Sequence, residues 1–411
     1  MNCDYIPAKL VERACTGPLA PYIKSYVSLM EQAGYAPAYV RENLTVLAAF
    51  GRRLERCGLG VENLNEDAVD RFVRKRYPER RLPRHVGPTL RRLLAMLREI
   101  GAVPLGFVAP PLSPAEQITR EYQHFLVEER AISPSTAHCW GRVVLRFLTE
   151  RFGSRSVDTE ALTAPDITGF VQRQAHLRSP SMAKILVVAM RSFLRYLEYK
   201  GLTTLSLDKA VPSVATWALS SLPKYLPAKQ VQAVLDHSDR TTKAGRRNYA
   251  ILLLLARLGL RAGEVVRLDL EDIDWDNALI TICGKGGQRA QLPLPADVGQ
   301  AIAEYLHGDR PRCSCRRVFI RDYAPRTGFG YASAIAKIVQ RALEKAGVES
   351  ARKGAHLLRH SLATHMLAKG ASLGEIGEVL RHRSTDTTAI YAKVQLEALR
   401  LLALRWPGGA E

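Results

Sequence analysis

The chain has no apolar run near the roughly 20 residues that span a bilayer. Its longest such run, Ala250 to Ala256, is cut by Arg257. This excludes an ordinary membrane-spanning helix. The opening stretch, MNCDYIPAKL, has no apolar segment of the kind a secretory leader carries, so the expectation is a cytoplasmic protein with no membrane partner. Cysteine is scarce and scattered, with seven in 411 residues. An odd number at irregular spacing argues against a disulfide framework and for a reducing compartment. Cys313 and Cys315 form a C-x-C pair, but no second pair lies close enough to complete a zinc site. Ordinary thiols are the better reading. Acid is also in short supply: 40 Asp and Glu stand against 59 Lys and Arg, a formal net charge of +19. Such an excess points to a polyanion partner, with nucleic acid ahead of a membrane surface.

What is present suits a packed protein. Hydrophobic residues make up 47% and charged residues 24% of the chain, which disfavours disorder. The length suggests about three domains. Most of the sequence reads as helix, and three blocks recur in order. Residues 35–55 parallel 132–152, with Pro37 over Pro134 and Phe50 over Phe147. LNEDAVDRFV (64–73) parallels LTAPDITGFV (162–171), and LRRLLAMLREIG (90–101) parallels MRSFLRYLEYKG (190–201). Two related helical domains are therefore expected, at 1–108 and 113–202. The proline-rich VAPPLSP (108–114) separates them, because proline interrupts helices. A linker over 203–222, rich in Ser, Thr and Pro, leads to a third domain, 223–411.

That domain opens with a helix near Ala228–Asp236, followed by a buried helix in RRNYAILLLLARLGL (246–260). Ile280 and Ile282, then Leu292 and Leu294, alternate around a GKGG turn and predict an antiparallel hairpin. Helix resumes from Tyr331. A last amphipathic helix is expected at 394–405, with Val394, Leu396, Leu399 and Leu402 as its apolar stripe. The fold class is mainly α, with a small antiparallel β-sheet in the third domain.

The chemistry-bearing residues are in this third domain: Arg261, Lys285, His356, Arg359, His382 and Tyr391, with Glu264 in support. The set has what breaking a phosphodiester without a metal requires: cations for the phosphate oxygens, a proton donor, a hydrogen-bonding base and a hydroxyl nucleophile. Taken singly, each residue has a plainer reading. Arg261 could cap a helix C-terminus, and Lys285 could be a solvent-exposed turn lysine. His356 and Arg359 share one helix face. His356 and His360 form an i, i+4 pair, but no third ligand suggests a metal, and His360 and His365 read as packing or helix-polar residues. The Ser384–Thr388 cluster suits a helix N-cap, which would place Tyr391 one turn into a new helix.

In this order the motifs resemble the tyrosine recombinase (phage integrase and Xer-like) family over about residues 113–411. The match comprises GLR-x-x-E (Leu260, Arg261, Glu264), the G-K-G hairpin, H-x-x-R (His356, Arg359) and H-x8-Y (His382, Tyr391). The resemblance implies a DNA clamp formed by a helical core-binding domain (113–202) and a catalytic domain (223–411). It assigns Tyr391 as nucleophile, Arg261 and Arg359 as phosphate clamps, and Lys285 as general acid for the 5′ oxygen. His356 and His382 become proton-transfer and hydrogen-bond partners. Two positions depart from the usual pattern: Leu357 stands where an acid is common, and Arg381 where glycine is usual. Residues 1–108 then look like an added, duplicated core-binding domain.

The implied function is a site-specific recombinase, the integrase or transposase of a mobile element. It would cleave and rejoin DNA through a 3′-phosphotyrosyl link, with no ATP, metal or other cofactor. Its expected partners are double-stranded DNA with specific target sites and either three further copies in a tetramer or partner recombinases. The final helix, 394–405, is expected to dock on a neighbouring protomer. Ten Lys and Arg against one acid in residues 71–98 suggest phosphate contacts. The candidate DNA-binding residues are Arg71, Arg74, Lys75, Arg76, Arg80, Arg81 and Arg84, with Arg289 and Arg381 near the catalytic set. The competing readings are a non-catalytic DNA-binding relative and a type IB topoisomerase, which shares the chemistry but relaxes supercoils as a monomer.

Overall fold

The computed structural model describes residues 6–76, 83, 85–104, 112–214, 224–284, 287–382 and 384–392. It is mostly helical, with one small antiparallel sheet. The chain divides into two compact units, Val108–Ser220 and the combination of Met1–Phe107 with Ser221–Glu411.

The first helices are α1 (Ala8–Ala14), α2 (Ala20–Gln32), α3 (Pro37–Arg56), α4 (Glu66–Arg76) and α5 (Val86–Glu99). Proline at the first position of α3 costs no hydrogen bond there and presets φ for the helix. Ile23, Leu44, Leu47, Phe50, Leu90 and Leu97 are among the residues of its core. A polar network is buried within it: Tyr26 Oη donates to Asn43 Oδ1 (2.9 Å), and Thr89 Oγ1 donates to the same atom (2.6 Å). Within this combined unit, the Arg326 backbone N–H donates to Ala33 O at 2.9 Å.

The other unit carries α6 (Pro114–Glu128), α7 (Pro134–Phe152), α8 (Ala164–His176) and α9 (Pro180–Tyr199). A capping box starts α6 as the proline-rich segment ends. Glu116 N–H donates to Ser113 Oγ (3.3 Å), and Ser113 N–H donates to Glu116 Oε2 (2.9 Å). Inside this core Phe147 meets Phe170 edge-on, with centroids 5.1 Å apart at 61°. In the first bundle Phe50 meets Phe72 in the same manner, at 4.9 Å and 61°.

The C-terminal residues form α10 (Ala228–Asp236), α11 (Lys243–Arg257) and α12 (Ala262–Arg267). Strands β1 (Ile273–Asp274), β2 (Leu279–Cys283) and β3 (Arg289–Pro293) follow. Then come α13 (Ala296–Gly308), α14 (Ala332–Lys345), α15 (Ala355–Ala368), α16 (Leu373–Leu380) and α17 (Thr385–Ala389). The uncharged stretch of α11 is buried from Ala250 to Ala256. The predicted hairpin is present, with Ile280 opposite Leu292 and Ile282 opposite Ala290. Strand alternation turns Ile280 and Ile282 into the core. Helix α17 ends at Ala389, so Tyr391 follows it instead of riding one turn inside a helix. The helix expected at 394–405 lies outside the described residues.

Candidate active site

The site begins where α11 stops. Gly259 turns the chain at φ +58, and a β-carbon there would come within 2.7 Å of Leu380 Cδ2 and 3.0 Å of Leu362 Cδ2. Both the backbone and the space therefore require glycine. Arg261 then caps α12. Its N–H donates to Glu264 Oε2 (2.8 Å), and its Nη1 donates to Glu264 Oε1 (2.8 Å). So Arg261 stands at a helix N-terminus, held by a carboxylate, and does not cap the C-terminus of α11. Glu264 is buried, at 3% exposure, and also accepts from Arg381 Nη2 at 3.1 Å. Burial pushes its carboxyl up, but the hydrogen bonds from Arg261 and the Arg381 and Arg261 charges outweigh burial and hold it below the usual carboxylate value.

Arg359, on α15, is buried, at 3% exposure. Its two terminal nitrogens donate to the carbonyls of Gly259 and Leu380, tying the end of α11 to the end of α16. Burial, then the neighbouring Arg261 and Arg381 charges, bring it down to about 10, so it stays charged at neutral pH. His356 opens α15. Its surface is exposed, yet its ring is shielded enough that desolvation, followed by Arg359 and Arg261, lowers its value.

Helix α16 ends in a left-handed residue, Arg381, which directs His382 toward the site. His382 Nδ1 lies 2.7 Å from Thr388 Oγ1. Its ring is parallel to that of Tyr391, with 4° between planes and 6.4 Å between centroids. Tyr391 is buried at 1% exposure among Leu367, Ile376 and Leu380. His360 Nδ1 lies 2.8 Å from its hydroxyl. Burial raises the Tyr391 phenol against the opposing pull of Arg359 and Arg261.

Arg261, Glu264, Arg289, Arg381 and His382 line one cleft of about 460 Å³, together with Gly284 and Gln288 beside the hairpin turn. Gly284 N–H donates to Gln288 O at 2.7 Å and closes the ladder there. Lys285, Arg80, Arg81 and Arg84 lie outside the described residues. Arg71, Arg74, Lys75 and Arg76 are exposed on α4, while Ala68, Val69 and Phe72 of the same helix face inward. Two other cations of the 71–98 run, neither among the candidate DNA-binding residues, find partners within the protein. Arg98 pairs with Glu66 (2.8 Å), and Arg92 reaches Asn43 Oδ1 (3.2 Å) and Tyr35 Oη (2.9 Å).

Sequence reasoning missed His360, grouping it with packing residues. Its position beside Arg359 on α15 was the available signal, but the partner is 31 residues away. Burial pushes His360 down to about 4, and burial with the Arg359 and Arg261 charges does the same to His382. Both rings are neutral at pH 7, and a neutral imidazole can accept the phenol's hydrogen bond. An unfolded chain takes up these protons near 6.5, the folded one only near 4. The stability is complete above pH 6.5 and is lost as pH falls toward 4. Thermal melts at pH 7 and pH 5 should show a drop that shrinks in His360→Gln/His382→Asn. An equal drop in that variant would contradict the assignment.

The chain matches the phage integrase family over residues 224–397. A Sinorhizobium fredii protein named as an integrase/recombinase, y4rA, is 44% identical over 412 residues, covering 100% of this chain and 99% of the relative. The chain is a tyrosine recombinase family member. The tyrosine recombinase XerD of Listeria innocua is 31% identical over 284 residues, covering 67% of this chain and 93% of XerD. In fold, the chain resembles the XerH site-specific recombinase in a post-cleavage complex with its difH substrate. The TM-score is 0.56 at 21% identity, covering 70% of this chain and 84% of XerH. The Tn1549 transposon integrase bound to circular-intermediate DNA gives a TM-score of 0.51 at 14% identity, covering 69% of this chain and 99% of that one. This recombinase is accordingly an enzyme of DNA strand breaking and rejoining. No helix among its described residues is long and apolar enough to cross a membrane.

Proposed function

We propose that this recombinase cuts DNA at specific sites by attack of Tyr391 on the scissile phosphate. The carrying observation is the convergence of Arg261, Arg381 and His382 on one cleft, with the Tyr391 ring parallel to His382. Arg261 and Arg381 both pair with the single carboxylate of Glu264 at the cleft, and Arg359 lies close enough for its charge to be felt by that carboxylate, leaving net positive charge for an anion. As the phenol oxygen bonds to phosphorus, its proton passes to a neighbouring imidazole. The 5′ oxygen leaves and takes a proton from Lys285. The product is a 3′-phosphotyrosyl link and a 5′ hydroxyl. Attack by the 5′ hydroxyl of a second duplex reverses these steps, so bond energy is conserved without ATP or a metal. Arg261 and Arg359 hold the developing phosphorane charge, and His356 and His382 supply hydrogen bonds.

Strand exchange between two duplexes calls for four such sites, supplied by a tetramer of this chain or by partner recombinases. The cytoplasm, where DNA and reduced thiols coexist, is the proposed compartment. The biological role is movement of a mobile element. Recombination between two sites in one plasmid, set against simple relaxation, separates this reading from a topoisomerase. Relaxation alone would overturn it.

Residues 1–108 are proposed to be a duplicated core-binding domain that lengthens the DNA footprint. The matched phenylalanine pairs support the duplication. The exposed Arg71, Arg74, Lys75 and Arg76 support the contact with phosphate. Full-length protein should protect more DNA than residues 109–411. Its affinity should also fall more steeply with salt, by about 0.9 log units per log unit of salt for each phosphate neutralised. Identical footprints would refute the role.

A further inference from the structure

The residue after α16 carries a cost that the fold alone does not explain. Arg381 sits at φ +54, ψ +50, a left-handed conformation. Its N–H donates to Glu378 O and that of His382 donates to Gly377 O, both at 2.9 Å, the helix-ending pattern in which glycine fits best. A side chain there costs on the order of 1–3 kcal/mol. What the side chain makes in return is a buried ion pair. Arg381 Nη2 reaches Glu264 Oε2 at 3.1 Å and Nη1 reaches Val379 O at 3.2 Å, while its buried Nε–H meets no acceptor among the described residues. The same carboxylate holds Arg261 through two bonds of 2.8 Å. With a single carboxylate between them, neither guanidinium is fully neutralised. The Nε and Nη2 groups of Arg261 meet no acceptor among the described residues.

We propose that Arg381 is a positioning residue of the phosphate site: by sharing Glu264 it fixes that carboxylate and keeps the Arg261 guanidinium set, and only part-neutralised, for a phosphate oxygen. The Arg381 charge also stands in the cleft itself, beside His382. Without Arg381, Glu264 would answer to Arg261 alone and draw its charge away from the incoming phosphate. This deepens the reading of the cleft as a phosphodiester-cleaving site and rests on it.

The test is Arg381→Gly, because glycine suits the backbone and should leave the melting temperature unchanged or raised. Single-turnover formation of the protein–DNA adduct on a nicked duplex of the element's end gives two numbers, the rate at saturating DNA and the half-saturating DNA concentration. The saturated rate should fall at least about tenfold, with half-saturation moving less than about threefold. Arg381→Lys, which keeps the charge but not the planar fork, should recover part of the loss. In a Glu264→Gln background, Arg381→Gly should add little, since the two act through one carboxylate. An unchanged rate would overturn the proposal. So would a raised half-saturation at unchanged rate, which marks an ordinary backbone contact, or a lowered melting temperature, which marks a structural residue. If wild type itself forms no adduct, the assignment of Tyr391 as nucleophile fails, an outcome read from the wild-type lane alone.

Discussion

Tyr391→Phe should abolish covalent attachment to DNA while leaving the protein folded and able to bind. The change removes one oxygen from a buried ring packed among Leu367, Ile376 and Leu380. The ring volume is retained, so no cavity opens. The hydrogen bond to His360 is lost, at a cost of about 1 kcal/mol. The chemistry, by contrast, loses its nucleophile in the proposed step. Thr388, the closest hydroxyl described beside His382, is buried against the Nδ1 of that ring. Wild type incubated with a nicked duplex should show a slow-migrating adduct on a denaturing gel, and the variant none. Adding EDTA should change neither lane, since side chains supply the charge in the proposed step. An adduct in the Phe variant, or its loss from wild type with EDTA, would refute the mechanism.

The second large effect is expected at Arg261. Replacing Arg261 with Ala should slow adduct formation about 100- to 1000-fold, the cost typical of removing one preorganised donor to a developing oxyanion. The fold should tolerate the change. Arg261 is half-exposed, and Glu264 keeps a partner in Arg381 at 3.1 Å, so the carboxylate is not left alone. Arg359 is a poorer probe of chemistry. Its guanidinium is buried and bonds two carbonyls, so Arg359→Ala would also leave buried acceptors unpaired and destabilise the domain. Arg261→Lys should recover little, because an ammonium lacks the fork that meets two phosphate oxygens. Loss of DNA binding in Arg261→Ala without a change in the saturated rate would argue against the clamp role.

The order of Arg261, the hairpin, His356, Arg359, His382 and Tyr391 was legible along the chain, and so was the hairpin itself. Alternation of Ile280, Ile282 and Leu292 determines which face of a two-stranded ribbon is buried, whatever lies beyond it. The start of α6 could be read in the same way, since Ser113 and Glu116 cap it from within four residues. Tyr391 was misplaced by one step. The Thr-rich stretch does begin a helix, but α17 stops at Ala389, so the tyrosine falls in the turn beyond.

The amino-acid order by itself determined which groups are available for catalysis, where helices begin, and that the chain carries a large excess of positive charge. These follow from hydrogen bonds and apolar periodicity between near neighbours, and from a total charge that folding does not change. Only the tertiary structure decided the pairings. Glu264 meets Arg381 across 117 positions, His360 meets Tyr391 across 31, and Arg92 and Arg98 turn inward while Arg71, Arg74 and Lys75 stay out. A buried charge must find a partner when water is withdrawn. Which partner it finds depends on how distant helices pack, and that is absent from any local pattern.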